Sequence, residues 1–253
     1  MELTSEQDMN SKIKYQCPTC KTECTSTEKA VSCTSCKKKY AFKEGILQFM
    51  KDKNTDTWDH YWKRVQVYDD VMDILRKIMN VQLHRYLVQK IHSSAITLEP
   101  GGGSAYVSAM MAQEGLTAYA LDYAYAPLRL AKEQIKSKAV LVQGDLFNIP
   151  FAANSFDLTF NNSTMEHFKN PLDGLMEMAR VTKRGGYVFV GVPFTYGPLS
   201  VYKLKKSSFK DAWDGTTYDR KGLKDLFSDA GLAIVDCRTF FGRCFVGVLG
   251  IKK

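Results

Sequence analysis

The stretch Ile96-Thr-Leu-Glu-Pro-Gly-Gly-Gly-Ser-Ala105 runs from a short apolar segment through an acid into three consecutive glycines. Its first half alternates apolar and polar residues as a strand does, and apolar residues at helical spacing follow at Val107, Met110 and Met111. The pattern predicts a strand, a glycine turn and a helix start. Glycines let the backbone adopt positive φ angles and approach a ligand closely, and a helix N-terminus offers free N–H groups to negative charge.

Two phosphate-binding motifs do not fit this turn. The dinucleotide-binding fingerprint requires a glycine three residues after Gly103, where this chain has Tyr106. The phosphate loop of nucleotide hydrolases requires a lysine after the turn, and no lysine occurs between Gly101 and Gln113. Both phosphate-binding interpretations are therefore excluded.

Length and composition limit the class of protein. The chain has 253 residues, 45% hydrophobic and 25% charged, so we expect one globular domain with a sizeable core and a small appendage. It has no apolar run of the roughly 20 residues that a membrane span requires, and its N-terminus lacks the apolar core of a signal peptide. A cytoplasmic location is expected. The net charge of +8 permits nucleic acid or an anionic membrane surface as a partner, but it also fits an ordinary solvated surface.

Cysteines concentrate near the N-terminus, as Cys17-Pro-Thr-Cys20 and Cys33-Thr-Ser-Cys36 with Cys24 between them. Two such pairs are typical of a zinc ribbon, in which four thiolates surround one Zn²⁺ as a tetrahedron. Disulfides are the alternative, but they fit poorly with a chain that lacks a secretion signal. We expect a structural zinc, because about 40 residues have too small a core to fold without one, and we expect Cys24 to stay free. The predicted ligands are Cys17, Cys20, Cys33 and Cys36.

Two more acids stand at the ends of predicted strands. Asp122 closes the apolar run 118–121, 23 residues after Glu99, where a carboxylate can accept hydrogen bonds from ribose hydroxyls. Asp145 follows the apolar run 139–142. Because strands and helices alternate along this part of the chain, we predict a parallel sheet with helices on both faces.

These motifs resemble those of the class I S-adenosylmethionine-dependent methyltransferases, and especially the small-molecule, type 11-like group. Glu99, Gly101 and Gly103 match motif I, in which Ala105 stands where many members carry a third glycine. The later order of Gly-Asp, Pro-Phe and Ser-Phe-Asp, ending at Asp157, also matches. The resemblance implies an α/β fold with a seven-stranded Rossmann-like sheet, and S-adenosylmethionine as the cofactor.

The resemblance also assigns roles around that cofactor. It implies that Asp145 accepts a hydrogen bond from the adenine amino group and that the backbone N–H of Leu146 meets a ring nitrogen. Tyr123, directly after the second acid, would stack on the adenine. The predicted cofactor-binding residues are Glu99, Gly101, Gly102, Gly103, Asp122, Tyr123, Asp145, Leu146 and Asn161.

The N-terminal module resembles zinc modules that accompany such enzymes, either fused to them or as a separate subunit. Residues 15–50 are similar to the small zinc module of bacterial ribosomal-RNA guanine methyltransferases and to the free activator subunit of several RNA and protein methyltransferases. The rRNA enzymes use a histidine as fourth ligand, where this chain has Cys36. We predict a zinc ribbon at 1–50, a linker with lid helices at 51–93, and an S-adenosylmethionine-binding domain at 94–253. The amphipathic pattern at 58–92 also fits helices that merely pack.

Catalysis is expected after the fourth predicted strand, because ligands bind at the carboxyl ends of strands in open α/β sheets. Glu166 and His167 are the candidates for a base that takes a proton from the acceptor, since histidine changes charge near neutral pH. His167 can equally line the cofactor pocket or cap the next helix. The Asn/Asp-Pro-Pro-Tyr box of amino-group methyltransferases is absent.

The expected function is methyl transfer to a small-molecule acceptor, such as a metabolite, a sugar or a lipid head group. Methylation of an rRNA or tRNA base is the alternative, favoured by the ribbon, the positive charge and a lysine- and aromatic-rich insertion at 194–219. A third hypothesis is a non-catalytic, cofactor-binding scaffold whose ribbon recruits a partner. The acceptor class and the oligomeric state stay open at the level of sequence.

Overall fold

The computed structural model describes residues 13–50, 70–133, 135–198, 200 and 215–253. The first part of the amphipathic pattern, with Trp58, Tyr61 and Trp62, and most of the lysine- and aromatic-rich insertion, residues 201–214, lie outside the described residues. Among the helices that are described, none is long and apolar enough to cross a membrane.

Strands and helices alternate through most of the described chain. The strands are β1 Cys24–Ser26, β2 Ala30–Cys33, β3 Lys39–Lys43, β4 Ile46–Gln48, β5 Ile96–Pro100, β6 Thr117–Asp122, β7 Val140–Gln143, β8 Phe156–Asn162, β9 Thr182–Pro193, β10 Leu232–Phe240 and β11 Phe245–Lys252. The helices are α1 Asp70–Val88, α2 Tyr106–Gln113, α3 Tyr125–Glu133, α4 Pro171–Val181 and α5 Arg220–Asp229. Two short 3₁₀ turns cover Leu146–Asn148 and Met165–His167.

The predicted seven-stranded sheet is confirmed, in the order β7-β6-β5-β8-β9-β11-β10. Strands β5 to β9 are parallel, and β11 lies antiparallel between β9 and β10. The strand order reverses between β5 and β8, because α2 and the following units run towards β7 and the later units run towards β10. Such a reversal opens a crevice at the carboxyl ends of the strands, which is where ligands bind in open sheets.

Helices cover both faces of the sheet, as the near-continuous burial of its strands requires. Consecutive residues of β6 point to opposite sides: Ala118 packs with residues of α1 and α2, and Tyr119 packs with residues of α4 and α5. Asp157 links the amino ends of three neighbouring strands. Its carboxylate accepts a hydrogen bond from the backbone N–H of Ile96 at 2.8 Å and forms an ion pair with Lys183 at 2.9 Å. These contacts hold the strands in register, and so fix the relative positions of the carboxyl ends that carry the predicted site.

The cysteine-rich module continues the same sheet. Its last strand, β4, runs parallel to β7, with Leu47 opposite Val142 and Gln48 opposite Gln143. The described strands therefore form one eleven-stranded sheet that begins at β1. The ring of Tyr15 contacts residues of the module and of the main domain: its centroid lies 5.7 Å from that of Phe49 and 5.4 Å from that of Phe151. Nothing in the sequence pattern predicted this shared sheet.

Candidate cofactor and active site

A cavity of about 1440 Å³ lies along the carboxyl ends of β5 to β8, at the point where the strand order reverses. Most of the residues predicted from sequence line it, and they come from four different strands or their following turns. Asn161 and Glu166 are not among the lining residues. The lining residues that were predicted are Glu99, Gly101, Gly102, Gly103, Asp122, Tyr123, Asp145, Leu146 and His167.

Side chains at the carboxyl end of β8 hold the glycine turn by hydrogen bonds to its backbone. Gly101 has φ +70°, and a Cβ at this position would lie 2.5 Å from Cγ2 of Thr164. Thr164 Oγ1 donates to the Gly101 carbonyl oxygen at 2.8 Å, and the side-chain amide of Asn161 donates to the Pro100 carbonyl oxygen. Only glycine suits both the backbone angle and the space. Asn161 thus lies behind the turn, and its direct contact with a cofactor stays a prediction.

Ala105 explains the departure from motif I that the sequence shows. It precedes α2 with φ 53° and ψ 39°, in the left-handed region, and its side chain is fully buried. Glycine is the residue that adopts this conformation at least cost, which accounts for a third glycine in similar motifs. Alanine keeps the turn but places a small strain on the helix start.

Glu99 is anchored by the first turn of α2. Its Oε2 accepts from the backbone N–H of Ser108 at 3.0 Å and from the Ser108 hydroxyl at 2.6 Å. Burial raises the pKa of Glu99 to about 7, although the bonds from Ser108 act in the opposite direction. A positively charged group beside this carboxylate would keep it ionised.

Asp122 is fixed in a similar way at the next strand end. Its Oδ2 accepts from the Gly103 N–H at 2.8 Å and its Oδ1 from the Ala124 N–H at 2.9 Å. Each carboxylate oxygen has a second lone pair available for a ligand hydroxyl. Burial raises the pKa of Asp122 to about 6.

Asp145 shapes the third part of the cavity. Its Oδ1 accepts from the Phe147 N–H at 2.9 Å and so caps the 3₁₀ turn that contains the buried Leu146. Phe147 and Phe168 meet edge to face, 4.7 Å between ring centroids, and both line the cavity. Sequence reasoning missed this aromatic pair, because Phe147 and Phe168 belong to no periodic pattern.

Glu166 and His167 lie next to each other in the 3₁₀ turn that follows β8. His167 lines the cavity, and its Nε2 is 3.9 Å from Oε1 of Glu166, which is itself buried. Burial raises the pKa of Glu166 to about 8, so this carboxyl is largely neutral at pH 7. Of the two candidates, His167 is therefore the one placed to reach a molecule in the cavity, and its role as a base stays a prediction.

The four predicted metal ligands converge. The sulfur atoms of Cys17, Cys20, Cys33 and Cys36 all lie within 4.8 Å of one another, with Cys20 and Cys33 3.4 Å apart. Zn–S bonds of about 2.3 Å in a tetrahedron place sulfurs about 3.8 Å apart, so the arrangement fits zinc. Cys24 stands outside this group. Burial and the neighbouring Cys17 raise the pKa of Cys24 to about 12, which keeps it a thiol.

Comparison with known proteins matches the central part of the chain to one family. Residues 98–190 match the family model described as a methyltransferase domain. The biotin biosynthesis bifunctional protein BioHC of Cellvibrio japonicus is 31% identical over 147 residues, which are 58% of this chain and 28% of that protein. The demethylmenaquinone methyltransferase of Paenarthrobacter aurescens is 30% identical over 127 residues, 49% of each chain. The chain thus spans half or less of the length of these curated relatives.

The fold is similar to that of solved structures. The S-adenosylmethionine-dependent methyltransferase of Thermotoga maritima, described as a possible histamine N-methyltransferase, superimposes with a TM-score of 0.62. It is 19% identical and matches 78% of this chain and 99% of its own. The predicted Rossmann-like methyltransferase fold is therefore confirmed.

Proposed function

We propose that the protein binds S-adenosylmethionine and transfers its methyl group to a small-molecule acceptor, since residues 98–190 match the model of a methyltransferase domain. One observation carries the proposal: Glu99, Asp122 and Asp145 end or follow three adjacent strands and line the same cavity as the glycine turn.

The chain's own residues fit the parts of this cofactor. Glu99, held by Ser108, lies beside the glycine turn and attracts the positive charges of the amino-acid part. Asp122 would accept hydrogen bonds from the ribose hydroxyls, and Asp145 would accept one from the adenine amino group, with Leu146 and Phe147 beside the ring. Two buried carboxylates with raised pKa values are suited to a cationic ligand, because its charge offsets the unfavourable burial of theirs.

Methyl transfer requires mainly alignment. When bound, S-adenosylmethionine supplies a methyl carbon on a sulfonium sulfur: the acceptor's lone pair forms the new bond, the carbon–sulfur bond breaks and its electron pair stays on sulfur. The walls of the cavity hold the acceptor in line with that bond. His167, on the wall, takes the proton if the acceptor carries one.

Two observations support a small acceptor over RNA. The cavity beyond the carboxylates is lined by apolar side chains of α1 and of the β10–β11 turn, together with Arg76, Asn80 and Gln82, and such a mainly apolar recess suits a molecule that enters the protein. The names of the curated relatives also refer to small molecules, demethylmenaquinone and biotin. The ribbon then serves as a structural zinc module that extends the edge of the sheet.

Calorimetric titration with S-adenosylhomocysteine tests the proposed function. We expect dissociation constants of about 1–100 μM for the native protein and a loss of at least about tenfold in Asp122→Ala, since a hydrogen bond to a charged group contributes about 1.5–3 kcal/mol. Asp225→Ala removes an exposed acid on α5 and is the matched control, with unchanged affinity. No binding by the native protein would refute the proposal.

A separate assay decides the acceptor class. The protein is incubated with radiolabelled cofactor and, in parallel, with a metabolite extract, a lipid extract or rRNA. We expect label in the metabolite or lipid fraction. Label in rRNA would favour the alternative function.

A further inference from the structure

A buried glutamine, Gln143, ends β7 two residues before Asp145, and its side chain is fully shielded from solvent. Glutamine is mostly an exposed residue, because its amide has two N–H donors and an acceptor oxygen that need partners once they leave water. Gln143 itself does not line the cavity. Any effect of this amide on a bound molecule therefore passes through the residues that it contacts.

The amide of Gln143 donates to a main-chain oxygen at the cavity. Its Nε2 lies 3.1 Å from the carbonyl oxygen of Tyr123. Tyr123 lies one residue beyond the last pair of the β6–β7 ladder, in which Asp122 stands opposite Gln143. The following helix α3 begins at Tyr125, and Pro127, four residues after Tyr123, has no N–H to donate. The side chain of Gln143 supplies a donor in their place.

This hydrogen bond completes the fixation of the Tyr123 backbone. On one side Asp122 accepts from the backbone N–H groups of Gly103 and Ala124, and on the other side Ala124 is 1% exposed. Tyr123 itself is 36% exposed and lines the cavity. With the peptide units before and after it held, the direction in which its ring leaves the backbone is set.

The cysteine module holds Gln143 from the other side. Gln48 of β4 stands opposite Gln143, and its Nε2 donates to the Gln143 Oε1 at 2.6 Å. The backbone N–H of Phe49 donates to the main-chain oxygen of Gln143 at 2.9 Å. A carbonyl oxygen only accepts, so the Tyr123 oxygen requires the NH₂ group of Gln143 and leaves its amide oxygen for Gln48. The two glutamines thus fix each other's orientation.

From these contacts, and resting on the proposed methyltransferase function, we infer that Gln143 is a positioning residue that, together with Gln48, holds the Tyr123 ring in the orientation that stacks on the adenine. Stacking between a base and an aromatic ring depends on their overlap, so a small rotation of the ring weakens it. Asp122 and Glu99 are held by other bonds, from Gly103 and Ser108. The effect of Gln143 is therefore specific for the base.

Gln143→Met tests the role of the amide. Methionine is unbranched and of similar length, so the buried volume is kept while the donor and the acceptor are lost. Calorimetry on the full chain should show that S-adenosylhomocysteine binds about fivefold more weakly. Gln113→Met changes an exposed glutamine at the end of α2 that does not line the cavity, and this matched control should leave the affinity unchanged. Equal affinity in Gln143→Met and the unsubstituted protein would overturn the inference.

Two fragments of the cofactor separate positioning of the base from a general loosening of the site. Methylthioadenosine keeps the adenine and the ribose without the amino-acid part, and S-ribosylhomocysteine keeps the ribose and the amino-acid part without the adenine. In Gln143→Met, methylthioadenosine should lose about fivefold in affinity, whereas S-ribosylhomocysteine should bind as it does to the unsubstituted protein. An equal loss for both fragments would assign Gln143 a merely structural role and contradict the inference.

A double variant shows whether Gln143 acts through Tyr123. Tyr123→Ala removes the ring and should weaken S-adenosylhomocysteine about tenfold. Adding Gln143→Met to it should change the affinity by less than about twofold, because the ring that the amide positions is gone. A further loss of about fivefold in the double variant would mean that the two residues act independently.

Gln48→Met tests the contribution of the module, and it replaces Gln143→Met if that variant does not fold. Gln143 then keeps its donor but loses the partner that orients it, so S-adenosylhomocysteine and methylthioadenosine should each bind about threefold more weakly. Unchanged affinity would exclude Gln48 from the positioning. The two proposals fail separately: the proposed function fails if the unsubstituted protein does not bind S-adenosylhomocysteine, and this inference fails if binding is intact but insensitive to the glutamine pair.

Discussion

The side-chain amide of Asn148 donates a hydrogen bond to the carbonyl oxygen of Pro18, 2.8 Å away, and so joins the cysteine module to the 3₁₀ turn that lines the cavity with Leu146 and Phe147. Pro18 lies between the ligand positions Cys17 and Cys20. Asn148 ends the 3₁₀ turn after Asp145, and its backbone N–H donates to the Asp145 carbonyl oxygen at 3.0 Å. The conformation of the cysteine cluster and that of the turn after Asp145 are therefore linked.

Metal removal should weaken cofactor binding. Without zinc the first cysteine pair loses its geometry, and the support that Pro18 gives to Asn148 is lost with it. We expect chelation to raise the dissociation constant for S-adenosylhomocysteine at least about fivefold, measured by calorimetry before and after zinc is restored. Asn148→Ala should weaken binding in the metal-loaded protein, whereas Asn170→Ala, at an exposed site before α4, should not. Equal affinities with and without metal would exclude this coupling.

Gly101→Ala should impair both folding and cofactor binding. The new Cβ would have φ +70° and would lie 2.5 Å from the Thr164 side chain, so the turn or the end of β8 must move. We expect a loss of about 2 kcal/mol in the free energy of unfolding and at least about tenfold in affinity for S-adenosylhomocysteine.

Gly115→Ala is the matched control for that change. Gly115 has φ +90°, but nothing lies within 4 Å of the position of its Cβ, so the substitution tests backbone strain without a clash. It should cost about 1 kcal/mol in denaturant unfolding and leave the affinity unchanged. A Gly101→Ala protein that behaves like Gly115→Ala would show that the turn tolerates a side chain.

Binding of S-adenosylmethionine should strengthen as the pH rises from 6 to 8. Burial raises the pKa of Glu99 to about 7 and that of Asp122 to about 6, so part of each carboxyl is protonated in the free protein at pH 6. The cation favours the ionised forms, and binding must release protons. Since a group with a pKa near 7 is about 90% protonated at pH 6, affinity should fall roughly tenfold there. Calorimetry in buffers of different ionisation enthalpy measures the protons released, and a constant affinity over this range would contradict the assignment.

The buried Glu166 should make the apoprotein less stable at high pH. Its pKa is raised by burial from 4.5 to about 8, so the native state binds the proton more tightly than the unfolded state. The contribution of this group to the free energy of unfolding is fully present below pH 4.5 and is lost as the pH rises to about 8. The Glu166→Gln variant stays neutral at this position, so the difference between its free energy of unfolding and that of the unsubstituted protein should rise by about 3 kcal/mol between pH 6 and pH 9. Urea titrations at the two pH values provide the measurement, and parallel curves would mean that Glu166 is ionised in the fold.

Local patterns predicted the part of the structure that local physics decides. The glycine turn and the acid at Asp122 follow from residue type and spacing, because backbone angles at the turn and burial of a parallel strand leave few alternatives. The convergence of the four cysteines was also predicted, since tetrahedral thiolate binding requires paired spacing.

Features that depend on distant partners were missed. The sequence of the short strand Ile46–Gln48 gives no sign that it pairs with Val142 and Gln143, because the exposed backbone of a strand can pair with any partner of suitable register. The β10–β11 turn is tied to α1 by a hydrogen bond from the Phe241 N–H to Gln82, which is far away in the chain. Asn161 and Asn162 are consecutive, so their side chains leave β8 on opposite sides, and sequence alone does not show which one meets the cavity.

A crystal structure of the protein with S-adenosylhomocysteine tests the central claim most directly. The account predicts one ligand across the three strand ends, with its amino-acid part at Glu99 and the glycine turn, its ribose hydroxyls on Asp122 and its adenine between Asp145 and Phe147. A ligand bound elsewhere, or one whose ribose and adenine contact neither Asp122 nor Asp145, would contradict it.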